Sequence, residues 1–153
     1  MSFEPVVRIQ AADFDIAKEI ASITNGRADI GAIATFSGLC RDEGGTLATL
    51  ELEHYPGMAE SEILRIANQA VERWRVSHLL AIHRFGKIAP GGNIVLVIAA
   101  SPHREAAFSA ASYLMDFLKT RAPFWKKEHR KDGTSGEWVD AKDKDDEALK
   151  RWE

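Results

Sequence analysis

A chain of 153 residues, 45% apolar and 28% charged, is long enough for one hydrophobic core and has the make-up of an ordinary globular domain. Its formal net charge of -3 argues against nucleic acid as the main partner, and its single cysteine, Cys40, excludes an intrachain disulfide and a cysteine metal cluster. The longest apolar run, 94–100, is far short of the roughly 20 residues of a membrane helix, and the N-terminal MSFEPVVRIQ lacks signal-peptide character, so the expectation is a cytoplasmic protein without a membrane partner.

In chain order, 6–10 reads as a short strand. Asp15 caps a helix to about Thr24, with Ile16, Ile20 and Ile23 on one face and Asn25-Gly26 as its stop. A strand of small residues over 30–38 leads into a loop, 41–45, whose paired glycines break any periodicity. Over 46–55, Ala48, Leu50 and Leu52 alternate with Thr49, Glu51 and Glu53, which predicts a half-buried strand. The segment 58–75 is an amphipathic helix, with Ile63, Ile66, Ala67, Ala70, Val71 and Trp74 at three- and four-residue steps.

Strands follow at 79–85 and 93–100, joined by a turn at Pro90-Gly91-Gly92; the second is almost wholly apolar and so central in its sheet. A helix over 102–121 buries Ala107, Phe108, Ala111, Leu114, Met115 and Leu118, and 124–131 with 137–139 form a last hairpin around Asp132-Gly133. The order β-α-β-β-α-β-β-α-β-β predicts an α+β fold: two main helices packed on a mostly antiparallel sheet, plus a C-terminal hairpin. One domain spans 1–140, and 141–153 is a charged tail expected to be solvated, frayed or a short helix.

Four places could carry chemistry. In Ser101-Pro-His-Arg-Glu105, Ser101 suits an N-cap and Pro102 the first helical position. His103 and Arg104 then fall where the helix dipole is positive, which is unfavourable unless an anion binds there. A solvated helix end with ordinary surface charges is the other reading. In KTRAPFWKKEHRK, 119–131, six cationic side chains face one acid, Glu128. Lys126 and Lys127, adjacent on a strand, point to opposite faces, so only one of them can look into a given pocket. Clustered lysines serve as proton donors or nucleophiles, but a basic edge strand also deters aggregation.

Arg41 leaves a strand end for a glycine-rich loop, where it suits bidentate binding of phosphate or carboxylate, or is simply a surface arginine. Alternation turns neighbouring Cys40 away from Arg41, which favours a buried free cysteine over a nucleophile. His78 and His83, with His54 and His129 further off, lack the short spacing of a helical metal site, and structural or surface histidines are the expectation, with no metal and no cofactor.

Together, GAIATFSGLCR (31–41), LELEHYPGMAE (50–60), HRFGKIAPGGNIVLVIAASPHREAAF (83–108), LKTRAPFWKKE (118–128) and GEWV (136–139) resemble the large, catalytic subunit of molybdopterin synthase, in order and spacing. One departure is Cys40, where the family usually has valine. The resemblance implies a hammerhead-like fold and a sulfurtransferase of molybdenum cofactor biosynthesis. The implied substrate is a cyclic pyranopterin monophosphate, converted to the dithiolene of molybdopterin. The implied sulfur donor is the C-terminal Gly-Gly thiocarboxylate of a small ubiquitin-like partner, within a heterotetramer built on a dimer of large subunits. By motif match, the resemblance implies Lys119 and Lys126 as catalytic residues and Arg41, His103 and Arg104 as substrate-binding residues. Two other classes stand beside it: a binding platform for a ubiquitin-like protein, and a Schiff-base enzyme acting on a phosphorylated carbonyl compound.

Overall fold

The computed structural model describes residues 3–139 and 150–152. Its elements run β1 (Val6–Gln10), α1 (Ile16–Thr24), β2 (Ala32–Leu39), β3 (Leu47–His54), α2 (Met58–Arg73), β4 (His78–Arg84), β5 (Gly86–Ile88), β6 (Asn93–Ser101), α3 (Arg104–Thr120) and β7 (Phe124–Arg130). The class is α+β, as the element order predicts. The expected single sheet is two: a four-stranded sheet in the order β1-β4-β6-β2, parallel only between β1 and β4, and an antiparallel three-stranded sheet in the order β5-β3-β7.

The apolar run on β6 is explained by cover on both faces. Leu79 and Ala81 of β4 and Val95, Val97 and Ala99 of β6 pack under α2 and α3. The alternate residues Leu80, Ile82, Leu96, Ile98 and Ala100 pack against Phe14, Ile16, Ile20 and Ile23 around α1. A strand buried on both sides needs no polar alternation. Each such leucine or isoleucine contributes about 1.5–3 kcal/mol by leaving water. Residue β2 Ala32–Leu39 lies at the sheet's edge, paired only with β6 among the described residues.

Several local expectations are corrected. The helix after β6 begins at Arg104 with His103 as N-cap, whereas Ser101 stays in β6, paired with Ala32, and its hydroxyl donates to the His103 carbonyl. Sheet pairing claims Ser101 before it can cap. Phe108, expected in the core, is 65% exposed on the side of α3 turned from the α2 contact, beside Phe36. The last hairpin has no second strand: the chain returns to β7 only through bridges Lys126–Val139 and His129–Ser135, because Thr134-Ser-Gly136 offers no side-chain alternation to hold a ladder. Trp152 is not solvated either. It meets the Trp74 and Tyr113 rings edge-on at 5.5 Å, and its Nε1 donates to Asp116 Oδ2 at 2.5 Å. The rest of the expected tail lies largely outside the described residues. No helix among those residues is long and apolar enough to cross a membrane.

Candidate active site

Where the C-terminal end of α3 meets β7, the two sheets leave a cleft. Its walls are apolar: Leu50 and Leu52 of β3, Ile94 and Val95 of β6, Met115 and Leu118 of α3, and Phe124 of β7. Into it come Lys119 from the last turn of α3, Lys126 from β7 and His83 from β4. A lysine in a helix's last turn complements the negative end of the dipole, so the ammonium is locally favoured there.

Period-two geometry sorts the two neighbouring lysines. Lys126 pairs in register with Leu52 and shares the cleft face with Leu50 and Phe124. Lys127 sits opposite Glu51 on the other face, its Nζ 5.6 Å from the centre of the Trp138 ring. That face also carries His129, with Nε2 at 2.8 Å from Glu51 Oε1 and Nδ1 at 2.9 Å from Ser135 Oγ, a clip on the returning chain.

The remaining sequence-predicted residues do not join this cleft within one chain. His103 and Arg104, both exposed, line a shallow hollow with Gly31, Ala32, Pro102 and Glu105 at the opposite end of α3. Sixteen helical steps of about 1.5 Å put His103 and Lys119 roughly 24 Å apart along the axis. Gly31 holds this end tight: its N–H donates to the Ser101 carbonyl at 3.0 Å, and a Cβ there would collide with the Pro102 carbonyl oxygen. Arg41 follows the far end of β2, largely exposed and ion-paired with Glu43. Thus Lys119 and Lys126 are together, while Arg41 and the His103–Arg104 pair stand in two other places.

His83 was expected to be a structural or surface histidine, and it is the residue of the cleft that sequence reasoning missed. It is 8% exposed, in phase with Leu79 and Ala81 on the face under α2 and α3. Its ring stacks on Phe124 at 3.8 Å and 16°, and Nδ1 lies 2.8 Å from the Arg84 carbonyl oxygen. Burial, aided by the Lys119 ammonium and the nearby His54, pushes its pKa down to about 4 against the upward pull of that backbone bond. The imidazole is therefore neutral near pH 7, with Nδ1–H donating and Nε2 left as an acceptor. The in-phase polar residue at a strand end was the available signal.

Cys40 is 3% exposed and packs with Leu47, Leu52 and Ile88. Burial, aided by the Asp42 and Glu128 carboxylates, pushes its thiol pKa up, so it is a poor nucleophile at neutral pH. Among the described residues no three His, Cys, Asp or Glu side chains are grouped as a metal would require.

The family model described as MoaE protein matches residues 9–121. The chain belongs to the MoaE family. A MoaE relative from Mesorhizobium japonicum, named molybdopterin synthase catalytic subunit, is 68% identical over 148 residues, 97% of this chain and 93% of that one. In structure, molybdopterin cofactor biosynthesis protein E from Burkholderia multivorans is similar at a TM-score of 0.84 and 44% identity, covering 98% of this chain and 97% of the other. The same fold recurs at a TM-score of 0.72 and 19% identity, over 90% of each chain, in a protein–protein complex of subunits 1 and 2 of molybdopterin-converting factor from Helicobacter pylori. MoaE membership places the chain among molybdopterin synthase catalytic subunits, in the biosynthesis of the molybdenum cofactor.

Proposed function

We propose that this chain transfers sulfur from the C-terminal Gly-Gly thiocarboxylate of a small ubiquitin-like partner to a cyclic pyranopterin monophosphate, in the cytoplasm. The observation that carries the reading is the meeting of Lys119 and Lys126 in one apolar-walled cleft. Opening a cyclic phosphate and losing water from the substrate carbons both require proton donors, and two ammonium groups supply them. Sulfur from a partner also accounts for a sulfurtransferase whose one cysteine is buried and held as a thiol. The Schiff-base alternative gains no feature from the fold that sulfur transfer lacks.

Of the substrate-binding residues, His103 and Arg104 act from a second copy of the chain. Edge strand β2 and helix α3 run side by side, with Ala34 to Phe36 next to Phe108, Ala111 and Met115. Their lengths match: eight strand residues span about 27 Å and 17 helical residues about 25 Å. A two-fold axis across this edge sets the start of one β2, where His103 and Arg104 stand, against the far end of its mate, where Arg41 and Lys119 stand. Exposed Phe36, Leu39 and Phe108 supply the apolar contact such a dimer needs. His103 and Arg104 of one protomer then hold the phosphate beside the lysine cleft of the other, with Arg41 as a further anion ligand.

The test is subunit exchange. Lys119→Ala and Arg104→Ala homodimers, supplied with thiocarboxylated partner, form almost no dithiolene. Mixed dimers contain one site with both residues intact and recover activity. Absence of recovery in demonstrated hybrids refutes the shared site, and an active Lys119→Ala homodimer refutes the role of that lysine.

A further inference from the structure

Every polar side chain lining the lysine cleft except one is a donor. Lys119 and Lys126 carry ammonium groups and Trp125 an indole N–H, none of which can accept a hydrogen bond. These suit the phosphate and carbonyl oxygens of a substrate. A reduced pterin, however, also presents ring N–H and exocyclic amino groups, and a dry pocket that leaves such donors unmatched loses affinity. His83 supplies what is missing. Its Nδ1 is engaged by the Arg84 carbonyl, which fixes the tautomer, and the ring is clamped flat on Phe124. The two constraints leave Nε2, the sole nitrogen or oxygen acceptor among the described side chains of the lining, without a partner among the described residues.

We propose that His83 is a substrate-binding residue whose Nε2 accepts a hydrogen bond from an N–H group of the pterin at the floor of the cleft. The proposal rests on the sulfur-transfer reading and assigns within it the part of the site that reads the ring rather than the phosphate. Burial keeps this acceptor uncharged, aided by Lys119 from α3 and His54 from β3, while the Arg84 carbonyl of β4 itself pulls the other way. A protonated ring would turn the acceptor into a second donor beside Lys119 and close the ring-reading function.

Two substitutions separate this role from mere packing. Asparagine reproduces the Nδ1–H that bonds the Arg84 carbonyl but has nothing at the Nε2 position; glutamine places its amide oxygen there. The holoenzyme with thiocarboxylated partner is assayed for dithiolene formation at varied pterin substrate, alongside thermal unfolding and partner affinity. His83→Asn is expected to raise KM for the pterin roughly tenfold or more, the effect of one unmatched polar group, with partner affinity unchanged. His83→Gln is expected to stay within about fivefold of wild type. Equal activity of the two variants, equal impairment, or a loss in kcat without change in KM overturns the assignment while the sulfur-transfer reading stands. Failure of the wild-type complex to form any dithiolene overturns both. If His83→Asn does not fold, pterin affinity of His83→Gln and His83→Leu decides: the proposal requires tight binding by the first and weak binding by the second.

Discussion

The neutral histidine in the cleft makes stability depend on pH in a window that can be calculated. In the unfolded chain His83 titrates at the ordinary 6.5, and in the fold at about 4. Above 6.5 neither state binds the proton and the group is silent. As pH falls from 6.5 to 4 the unfolded state takes up a proton that the fold refuses, so stability is lost; below 4 both states are protonated and the loss levels off. The difference of about 2.5 units, at roughly 1.4 kcal/mol each, sets a full effect of about 3 kcal/mol, with some 2–3 kcal/mol already lost at pH 4.5. For a domain of this size that corresponds to a fall in Tm of about 6–12 °C. His78, whose pKa burial and Arg27 also lower, contributes a loss of the same sign as pH falls, so wild type alone is not diagnostic. Urea unfolding of wild type and His83→Gln at pH 7.5 and 4.5 isolates the term, since His78 and the carboxylates are common to both. The variant should lose about 2–3 kcal/mol less than wild type over that interval. Parallel losses in the two proteins would refute the claim that His83 is buried uncharged.

Lys126→Ala should reduce dithiolene formation severely, whereas Lys127→Ala, on the opposite face against Trp138, should retain most of it; steady-state rates of the two variants check this, and equal losses would overturn the strand geometry. Cys40→Val should keep its activity in the same assay, because the side chain is buried among Leu47, Leu52 and Ile88 and the change nearly conserves volume. Gly31→Ala should cost about 1–3 kcal/mol in denaturant unfolding and weaken phosphate recognition, since the new methyl group pushes Pro102 and with it His103 away from β2.

The parts of the fold that were legible in the sequence are those set by one local pattern. The repeat of Ile63, Ile66, Ala67 and Ala70 defines the buried side of α2, and the unbroken run on β6 announces a strand covered on both faces. What was not legible depends on partners distant in the chain. The three-residue β5 has no pattern of its own and exists because Leu50 and Leu52 offer it a ladder. The division into two sheets likewise follows from long-range pairing. Ser101 looks like a helix cap in isolation, but its pairing with Ala32 outweighs the cap. Phe108 fits the apolar stripe of α3 by count, yet stands 65% exposed beside Phe36 of edge strand β2.

The site divides the same way. Strand alternation alone separates Lys126 from Lys127, and the buried state of Cys40 follows from its neighbour Arg41 turning outward. The gathering of Lys119 and Lys126 required the chain to turn at Ala122 and Pro123, which a breaker residue signals but does not aim. His83 was hardest to read, because a histidine in register with Leu79 and Ala81 has the pattern of a core residue. Only the tertiary contacts show that its inner nitrogen is satisfied by the Arg84 carbonyl while the outer one is not. An acceptor that faces the cleft without a partner among the described residues gains nothing from the protein, and a ligand donor that reaches it supplies the missing hydrogen bond on binding. The same imbalance that makes His83 a liability to the apo fold at low pH therefore makes it a source of affinity for a substrate rich in N–H groups.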